Sequence, residues 1–209
     1  GLGLVLNYQE ERTILSHYMG EECIFPEDEQ LSASWMYLTS AGEKFENLYQ
    51  AAVDWAVSKN TRIAFNPSTR QIRFGDKLNY VYQNTEVLFL NKEEAQALLA
   101  NNTQEISELG MGLKKLGVKL AIITDGPNGA YAFDGRDLVF QPIIDAPVVE
   151  RTGAGDAFGA GFMAAYMQNL NIATCLKWGA TNSASVLGFV GPQQGLLTKN
   201  KMEEWVQKS

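Results

Sequence analysis

The sequence predicts an α/β protein in which a doubly wound, mostly parallel β-sheet is flanked by helices. From about residue 34 onward, short apolar strands alternate with segments of helical period. One strand, Leu120–Thr124, is a continuous apolar run of the kind buried on both faces of a parallel sheet. Repeated units of this kind place helices on both faces of the sheet.

The first 33 residues follow a different pattern. Leu2–Leu6 and Arg12–Tyr18 are strand-like runs joined by polar residues, and they predict a β-hairpin. The remaining elements alternate: strands at Trp35–Leu38, Arg62–Phe65, Val87–Leu90, Leu120–Thr124, Ala130–Phe133 and Leu138–Phe140, and helical segments at Glu43–Ser58, Gly75–Tyr82, Lys92–Ala100, Ile106–Leu116, Ala157–Tyr166, Ile172 to about Leu187 and from Lys199.

The composition argues against several classes of function. The chain of 209 residues carries a net charge of −7 without a run of like charges, which argues against nucleic acid or an anionic membrane as a partner. No apolar segment approaches the ~20 residues of a membrane span. Cys23 and Cys175 lie far apart and predict free thiols in a reducing cytoplasm. A single histidine, His17, argues against a histidine triad or a histidine-rich metal site.

The most informative segment begins at Arg151. A strand-like run, Ala146–Val149, leads into it, Thr152 is a favourable N-cap residue, and Gly153–Gly155 permits a tight turn into a helix. The N-terminus of a helix offers unpaired N–H donors and a positive dipole end, which together hold anions such as phosphate. Asp156 beside such donors predicts a base that takes a proton from an attacking hydroxyl.

These residues resemble the signature of the ribokinase-like (PfkB-type) carbohydrate kinases, an Asp-Thr-Thr-Gly-Ala-Gly-Asp run in which Glu150 and Arg151 replace the first two residues. The resemblance implies that Asp156 is the catalytic base and that the amides of Gly153, Ala154 and Gly155 form the anion hole. The alternative is a glycine-rich helix start with a surface aspartate. A Walker loop would need Gly-Lys-Ser/Thr, which the chain lacks, and a dinucleotide fingerprint would need glycine where Phe158 stands.

Two further segments match family elements. Asn91 and Glu94 stand as in the Asn-x-x-Glu element, and by resemblance they help to hold Mg²⁺ and its waters near the phosphates of ATP. The alternative is a helix cap, with Asn91 as N-cap and Glu94 at N3. Thr124, Gly126 and Gly129 resemble the family's Thr-x-Gly-x-x-Gly turn beside the nucleotide, although a glycine and proline turn into a hairpin explains them equally.

The resemblance also assigns a helix of small residues to the wall of the adenine pocket, with Gly179 and Asn182 as candidate contacts. Tight packing between helices is an equal explanation for any one of these residues. Glu150 and Thr152 occupy positions that lie near a monovalent cation site in many members. Glutamate for aspartate, and Arg151 for threonine, depart from that pattern.

The resemblance covers about the C-terminal two-thirds of a typical family member, and we find no counterpart of the N-terminal third that grips the sugar. We expect a partial β-lid at 1–33 and a nucleotide-binding and catalytic domain at 34–209. The implied function is transfer of the γ-phosphate of MgATP to a primary hydroxyl of a small carbohydrate, in the cytoplasm, with a possible homodimer through the lid hairpin. The alternatives are a nucleoside kinase, or a truncated module that binds a nucleotide or a partner chain without catalysis. The sequence leaves open the sugar, and whether this chain acts without the missing third.

Overall fold

A computed structural model of the chain describes residues 2–8, 11–17, 23–26 and 30–208. For the two strands before residue 18 it describes the backbone alone. No helix in the described ranges combines the length and the apolar character that crossing a lipid bilayer requires.

The described residues form eight strands and eight α-helices, which alternate as predicted from residue 35 onward. The strands are β1 (Leu2–Tyr8), β2 (Glu11–His17), β3 (Trp35–Thr39), β4 (Arg62–Asn66), β5 (Thr85–Asn91), β6 (Leu120–Thr124), β7 (Ala130–Phe133) and β8 (Leu138–Gln141). The helices are α1 (Glu46–Ser58), α2 (Thr69–Ile72), α3 (Asn79–Gln83), α4 (Lys92–Leu99), α5 (Ile106–Lys115), α6 (Ala154–Tyr166), α7 (Ile172–Leu187) and α8 (Lys199–Lys208), with 3₁₀ turns at Gly75–Leu78 and Gly126–Asn128.

The strands form two sheets. Strands β1 and β2 pair with each other, which confirms the predicted hairpin, and β3 to β8 form a six-stranded sheet in chain order. β3 runs parallel to β4 and β4 parallel to β5, with Thr39 opposite Asn66 at their carboxyl ends. Strands β7 and β8 are adjacent and joined by four residues, too few for a parallel crossover, so they form the second predicted hairpin. The predicted α/β class is confirmed.

Three predictions differ from the structure. Residues 146–149, predicted as a strand, form no regular element, and the main chain at Val149 donates to Leu187 O at 2.7 Å. Pro147 removes one backbone donor, which a paired strand would need. The segment 75–82 divides into a 3₁₀ turn and α3, and the short helix α2, capped by Ser68, was not predicted.

The chain divides into two compact units. The first is built on the parallel strands and on helices α1 to α5. The second holds the turn after β6 and the helices α6 to α8. Their ranges are Gly1–Leu2, His17–Ile123 and Phe133–Leu138 for the first, and Gly3–Ser16, Thr124–Ala132 and Val139–Ser209 for the second.

An aromatic cluster fills the core of the first unit. The ring of Phe65, on β4, lies 5.6 Å from Tyr49 and 5.9 Å from Tyr82, and Phe45 lies 4.8 Å from Phe74. The Tyr49 hydroxyl donates to Thr39 O at 2.7 Å, and burial raises the pKa of this phenol to about 12. The cluster therefore anchors α1 and α3 against the parallel strands without an ionised group.

Helices α6 and α7 form the core of the second unit, and they approach each other at glycines. A Cβ on Gly161 would lie 2.7 Å from the carbonyl oxygen of Trp178, and one on Gly179 would lie 3.0 Å from that of Phe158. Phe162 is fully buried in this unit. The backbones can meet closely because the residues at the crossing have no side chain.

We expect Gly161→Ala to lower the free energy of unfolding by about 1–2 kcal/mol, because overpacking against the backbone of α7 outweighs the higher helix propensity of alanine. Urea denaturation of the purified chain measures this change. Gly42→Ala is the control, since a Cβ there meets nothing within 4 Å and should change stability by less than about 0.5 kcal/mol. A Gly161→Ala variant as stable as the wild type would contradict the close approach.

Candidate active site

The N-terminus of α6 is built on a glycine in a left-handed conformation. Gly153 is the N-cap residue, with φ +80° and ψ 0°. A Cβ at this position would lie 2.8 Å from Cα of Pro192, so both the dihedral angles and the neighbouring loop require glycine. The turn thus brings the start of α6 into contact with residue 192.

The first turn of α6 presents backbone donors. Ala157 N closes the turn by donating to Gly153 O at 2.8 Å, and Ala154 N reaches Arg151 O at 3.4 Å. The N–H groups of Gly155 and Asp156, at the second and third helical positions, have no acceptor within the helix. The predicted anion hole therefore gains one donor that the sequence analysis did not name, the amide of Asp156.

Thr152 does not cap the helix as predicted. Its hydroxyl donates to the carboxylate of Glu150, and no side chain caps α6. The left-handed Gly153 is the N-cap residue instead, so α6 begins one residue later than a cap at Thr152 would place it and three residues before the predicted segment Ala157–Tyr166. Glu150 is half-buried, and its second oxygen accepts from Gly191 N at 2.8 Å.

Asp156 is exposed in the first turn of α6. A carboxylate at this position is stabilised by the positive end of the helix dipole. It therefore combines access to solvent with a place next to the free amides, as a base acting on a bound hydroxyl would need.

The turn after β6 is closed by its own backbone. Asp125 N donates to Gly129 O at 2.8 Å, and Asn128 N donates to Asp125 O at 2.8 Å. Gly129 has φ +97°, and a Cβ there would lie 3.2 Å from Cα of Pro142. Glycine at 129 thus lets the segment after β8 pass directly over the turn.

A cavity of about 420 Å³ in the second unit joins these features. Its wall includes Thr124, Gly126 and Gly129 from the turn, and Ala154 and Gly155 from α6. The structure therefore brings five predicted site residues to one cavity. Most of the other wall residues are apolar, and Arg151 is the one cationic residue among the described residues that line it.

Four predicted site residues of the second unit are not among the residues that line this cavity. Gly153 and Asp156 flank the two lining residues of α6 in the chain, and Gly179 packs against Phe158. Asn182 is 5% exposed, donates to Ala157 O at 2.8 Å and accepts from Leu197 N at 3.0 Å. Both ends of its amide are thus used to hold α7 to its neighbours, so the geometry does not favour the predicted contact with the base.

The sequence analysis missed one wall of the cavity. It consists of Ser183 on α7, of Gln141 at the end of β8 and of the irregular segment that follows, whose lining residues are Pro142, Ile143, Ile144, Asp145, Ala146 and Val148. The sequence pattern predicted only a strand at 146–149 in this segment, and that strand does not form. The signal in the sequence that could have indicated this wall is the combination of apolar residues with Pro142 and Pro147.

Asn91 and Glu94 belong to the first unit and form a complete capping box on α4. Asn91 Oδ1 accepts from Glu94 N at 2.7 Å, and Glu94 Oε2 accepts from Asn91 N at 3.0 Å. Thr69 donates to the other carboxylate oxygen at 3.0 Å. The cap is confirmed, and the metal role stays a prediction.

These residues still fit a magnesium ion that keeps most of its waters. Each oxygen of Glu94 uses one of its two lone-pair positions in the cap, and Mg²⁺ is commonly held through one or two carboxylates, waters and substrate phosphates. Among the described residues, no group of three or more acidic, histidine or cysteine side chains forms a larger metal site. The monovalent cation predicted near Glu150 also stays a prediction.

Cys175, on α7 of the second unit, has an unreactive thiol. Cys175 is fully buried, its thiol donates to Leu170 O at 3.4 Å, and burial raises the pKa of this thiol to about 11. The side chain is therefore protonated at neutral pH, and thiolate chemistry is excluded there.

Known proteins resemble this chain in sequence and in fold. The chain is 31% identical over 133 residues to a cytidine kinase from Thermococcus kodakarensis, covering 62% of this chain and 47% of that protein. It is 28% identical over 138 residues to an uncharacterized sugar kinase from Archaeoglobus fulgidus, covering 64% and 53%. The structure of Arabidopsis thaliana ribokinase complexed with ribose and ATP superposes with a TM-score of 0.74 at 21% identity, covering 85% of this chain and 57% of that one.

The likeness in structure confirms the predicted ribokinase-like fold. The chain spans about half the length of the curated relatives it matches. Residues 1–199 match the model of the pfkB family carbohydrate kinases. The chain therefore belongs to the pfkB family of carbohydrate kinases.

Proposed function

We propose that the protein is an ATP-dependent kinase that transfers a phosphoryl group to a hydroxyl of a small carbohydrate. One observation carries this proposal: the first turn of α6 places unpaired amides, next to a cavity wall, beside the exposed carboxylate of Asp156. An anion site with a base beside it matches the needs of phosphoryl transfer to an alcohol.

The reaction follows from these groups. Asp156 accepts the proton of the acceptor hydroxyl while its oxygen forms a bond to the γ-phosphorus. The bond between that phosphorus and the bridging oxygen breaks, and ADP leaves. The amides of Gly155 and Asp156, with those predicted at Gly153 and Ala154, donate to the oxygens on which negative charge develops.

The cavity supports a nucleotide as the phosphoryl donor. Its volume of about 420 Å³ lies within the usual range of small-molecule sites, ~300–1,000 Å³. Ala180 and Ala184 keep the wall on α7 flat enough for a planar base. Thr124 and Gly126, at the carboxyl end of β6, would face the ribose or the phosphates.

We propose Asn91 and Glu94 as residues that hold Mg²⁺ through its waters. The ion, when bound, would neutralise phosphate charge and polarise the transferred group. In this proposal the cap around Glu94 keeps the carboxylate in one orientation.

The acceptor class has two candidates. The curated relatives include a cytidine kinase and a sugar kinase, which favours either a nucleoside or a free sugar as the acceptor. An alternative to the kinase is a module that binds a nucleotide or a partner chain without catalysis. The match to about half of each relative motivates this alternative. The cytoplasmic location, the lid role of residues 1–33 and a homodimer through the hairpin stay predictions.

Phosphoryl transfer from MgATP to a pooled set of sugars and nucleosides tests the proposal. Mass spectrometry of the products identifies the acceptor. A phosphorylated product supports the kinase and names its substrate class. A folded chain that binds ATP but forms no product would support either the binding module or a requirement for the missing N-terminal third.

We expect Asp156→Asn to lower kcat by about 10²–10⁴, because the amide cannot accept the hydroxyl proton. Affinity for ATP, measured by isothermal titration calorimetry, should stay within about threefold of wild type, a difference below 1 kcal/mol. Asp137→Asn, an exposed aspartate in the turn between β7 and β8, is the matched control. Equal kcat in Asp156→Asn and the wild type would refute the assignment of the base.

We expect Gly155→Ala to weaken ATP binding about tenfold, a change of 1.4 kcal/mol. A Cβ at 155 meets no protein atom within 4 Å, so it would project into the space through which we propose the phosphate approaches. Stability should be unchanged or higher by up to about 1 kcal/mol, because alanine favours the helix. Calorimetry and urea denaturation separate the two effects, and wild-type affinity would contradict the approach of phosphate to this amide.

We expect Glu94→Gln to raise the Mg²⁺ concentration at half-maximal activity about tenfold, as for other residues that act through a metal's waters. Glutamine at N3 also serves a capping box, so the melting temperature should change little. Glu93→Gln, one residue earlier on α4, removes the same charge outside the capping box and controls for general electrostatics. An identical Mg²⁺ dependence of both variants would exclude the metal role.

A further inference from the structure

The loop after α7, residues 188–198, is held by side-chain hydrogen bonds at three points. Ser185 Oγ donates to Gly195 O at 2.7 Å, and Leu197 N donates to Asn182 Oδ1 at 3.0 Å. Both of these anchors stand on α7, next to the loop in sequence. The third is different, because Gly191 N donates to Glu150, a charged residue that precedes α6.

The two carboxylate oxygens of Glu150 accept hydrogen bonds from two different segments. Oε2 accepts from Gly191 N at 2.8 Å, while Oε1 accepts from the hydroxyl of Thr152, one residue before the N-cap of α6. Its own backbone N–H donates to Leu187 O at 3.2 Å, which ties residue 150 to the end of α7. The side chain therefore bridges the turn into α6 and the loop after α7.

A second contact joins the same two segments. Pro192 lies against Gly153, so close that only glycine fits there. The two contacts involve neighbouring residues of the loop, Gly191 and Pro192. Both hold the loop to residues 150–153. The position of the α6 N-terminus relative to the loop is therefore set by these two contacts together.

We propose that Glu150 is a positioning residue that holds the first-turn amides of α6 in place to receive a phosphate group. This inference rests on the proposed function, since it assumes that those amides bind the phosphates of a nucleotide. Glu150 acts through the turn and makes no contact with the substrate. Bonds to an ionised acceptor are stronger than bonds between neutral groups, which suits a bridge that must resist the movement of an exposed loop.

Both the length and the charge of the side chain matter in this role. Glutamine keeps the length but loses the charge: its amide oxygen can accept from Gly191 N and its NH2 group can donate to the Thr152 hydroxyl, so the bridge remains without charge assistance. Aspartate keeps the charge but is one methylene shorter, so it cannot span the same two partners without movement of the turn. We therefore expect neither variant to replace glutamate fully.

The deciding experiment compares Glu150→Ala, which removes both hydrogen bonds of the side chain, and wild type in the purified 209-residue chain. Amide hydrogen exchange followed by NMR should show faster exchange at Gly191, while the amide of Phe162, in the core of α6, keeps its protection. Calorimetry should show ATP binding about tenfold weaker and adenosine binding within about twofold of wild type. This pattern separates a change at the phosphates from a change in the whole cavity.

Two further variants complete the design. Glu203→Ala, at an exposed glutamate on α8, is the control and should leave exchange and binding unchanged. Glu150→Asp should lower the ratio of ATP to adenosine affinity, because charge alone does not restore the bridge. Where ATP is turned over, kcat should fall by up to ~10²-fold, the scale set by small misplacements of reacting groups.

Three results would overturn the proposal. The first is an unchanged exchange rate at Gly191 in Glu150→Ala. The second is equal weakening of ATP and adenosine binding. The third is loss of protection at Phe162 as well, which would assign Glu150 to general stability. A wild-type chain that binds no ATP would refute the proposed function, while the exchange rate at Gly191 would still decide whether Glu150 holds the loop.

Discussion

The close approach of α6 and α7 is the constraint on which the rest of the second unit depends. Backbone atoms of the two helices meet at Gly161 and Gly179, where any side chain would overlap a carbonyl group of the other helix. Asn182 then reaches from α7 to Ala157 O, so the start of α6 is tied to the body of α7. These contacts fix the position of the α6 N-terminus relative to α7, as the proposed site of backbone amides would require.

The same constraint explains why the second unit needs so many small residues. A helix start that offers amides to a ligand must keep side chains away from its first turn, which Ala154 and Gly155 do. A helix that packs close to this first turn must also carry small side chains, and α7 carries alanine, serine and glycine along one face. One sequence feature, a stretch of small residues, thus permits tight packing and would also leave access for the proposed ligand.

Polar side chains hold backbone groups in place where several elements meet, close to the proposed active site. Asn182, Ser185 and Glu150 hold backbone groups of the loop after α7, and each lies within a few residues of the cavity wall. In the first unit the capping box of Asn91 and Glu94 uses the residues predicted to serve a metal ion. A structural role is therefore compatible with a functional one, since holding a side chain in one orientation is what both require.

The sequence by itself determined the α/β class, the order of the elements apart from the short helix α2, most of their bounds to within about three residues, and the segment around Asp156, because apolar periodicity and glycine positions are local properties. It did not determine which residues share a cavity. Segment 142–148 lacks regular structure, the helix start depends on contact with Pro192, and Asn182 faces α6 and the loop. Only the tertiary structure decided these points, since each depends on contacts between residues far apart in the chain.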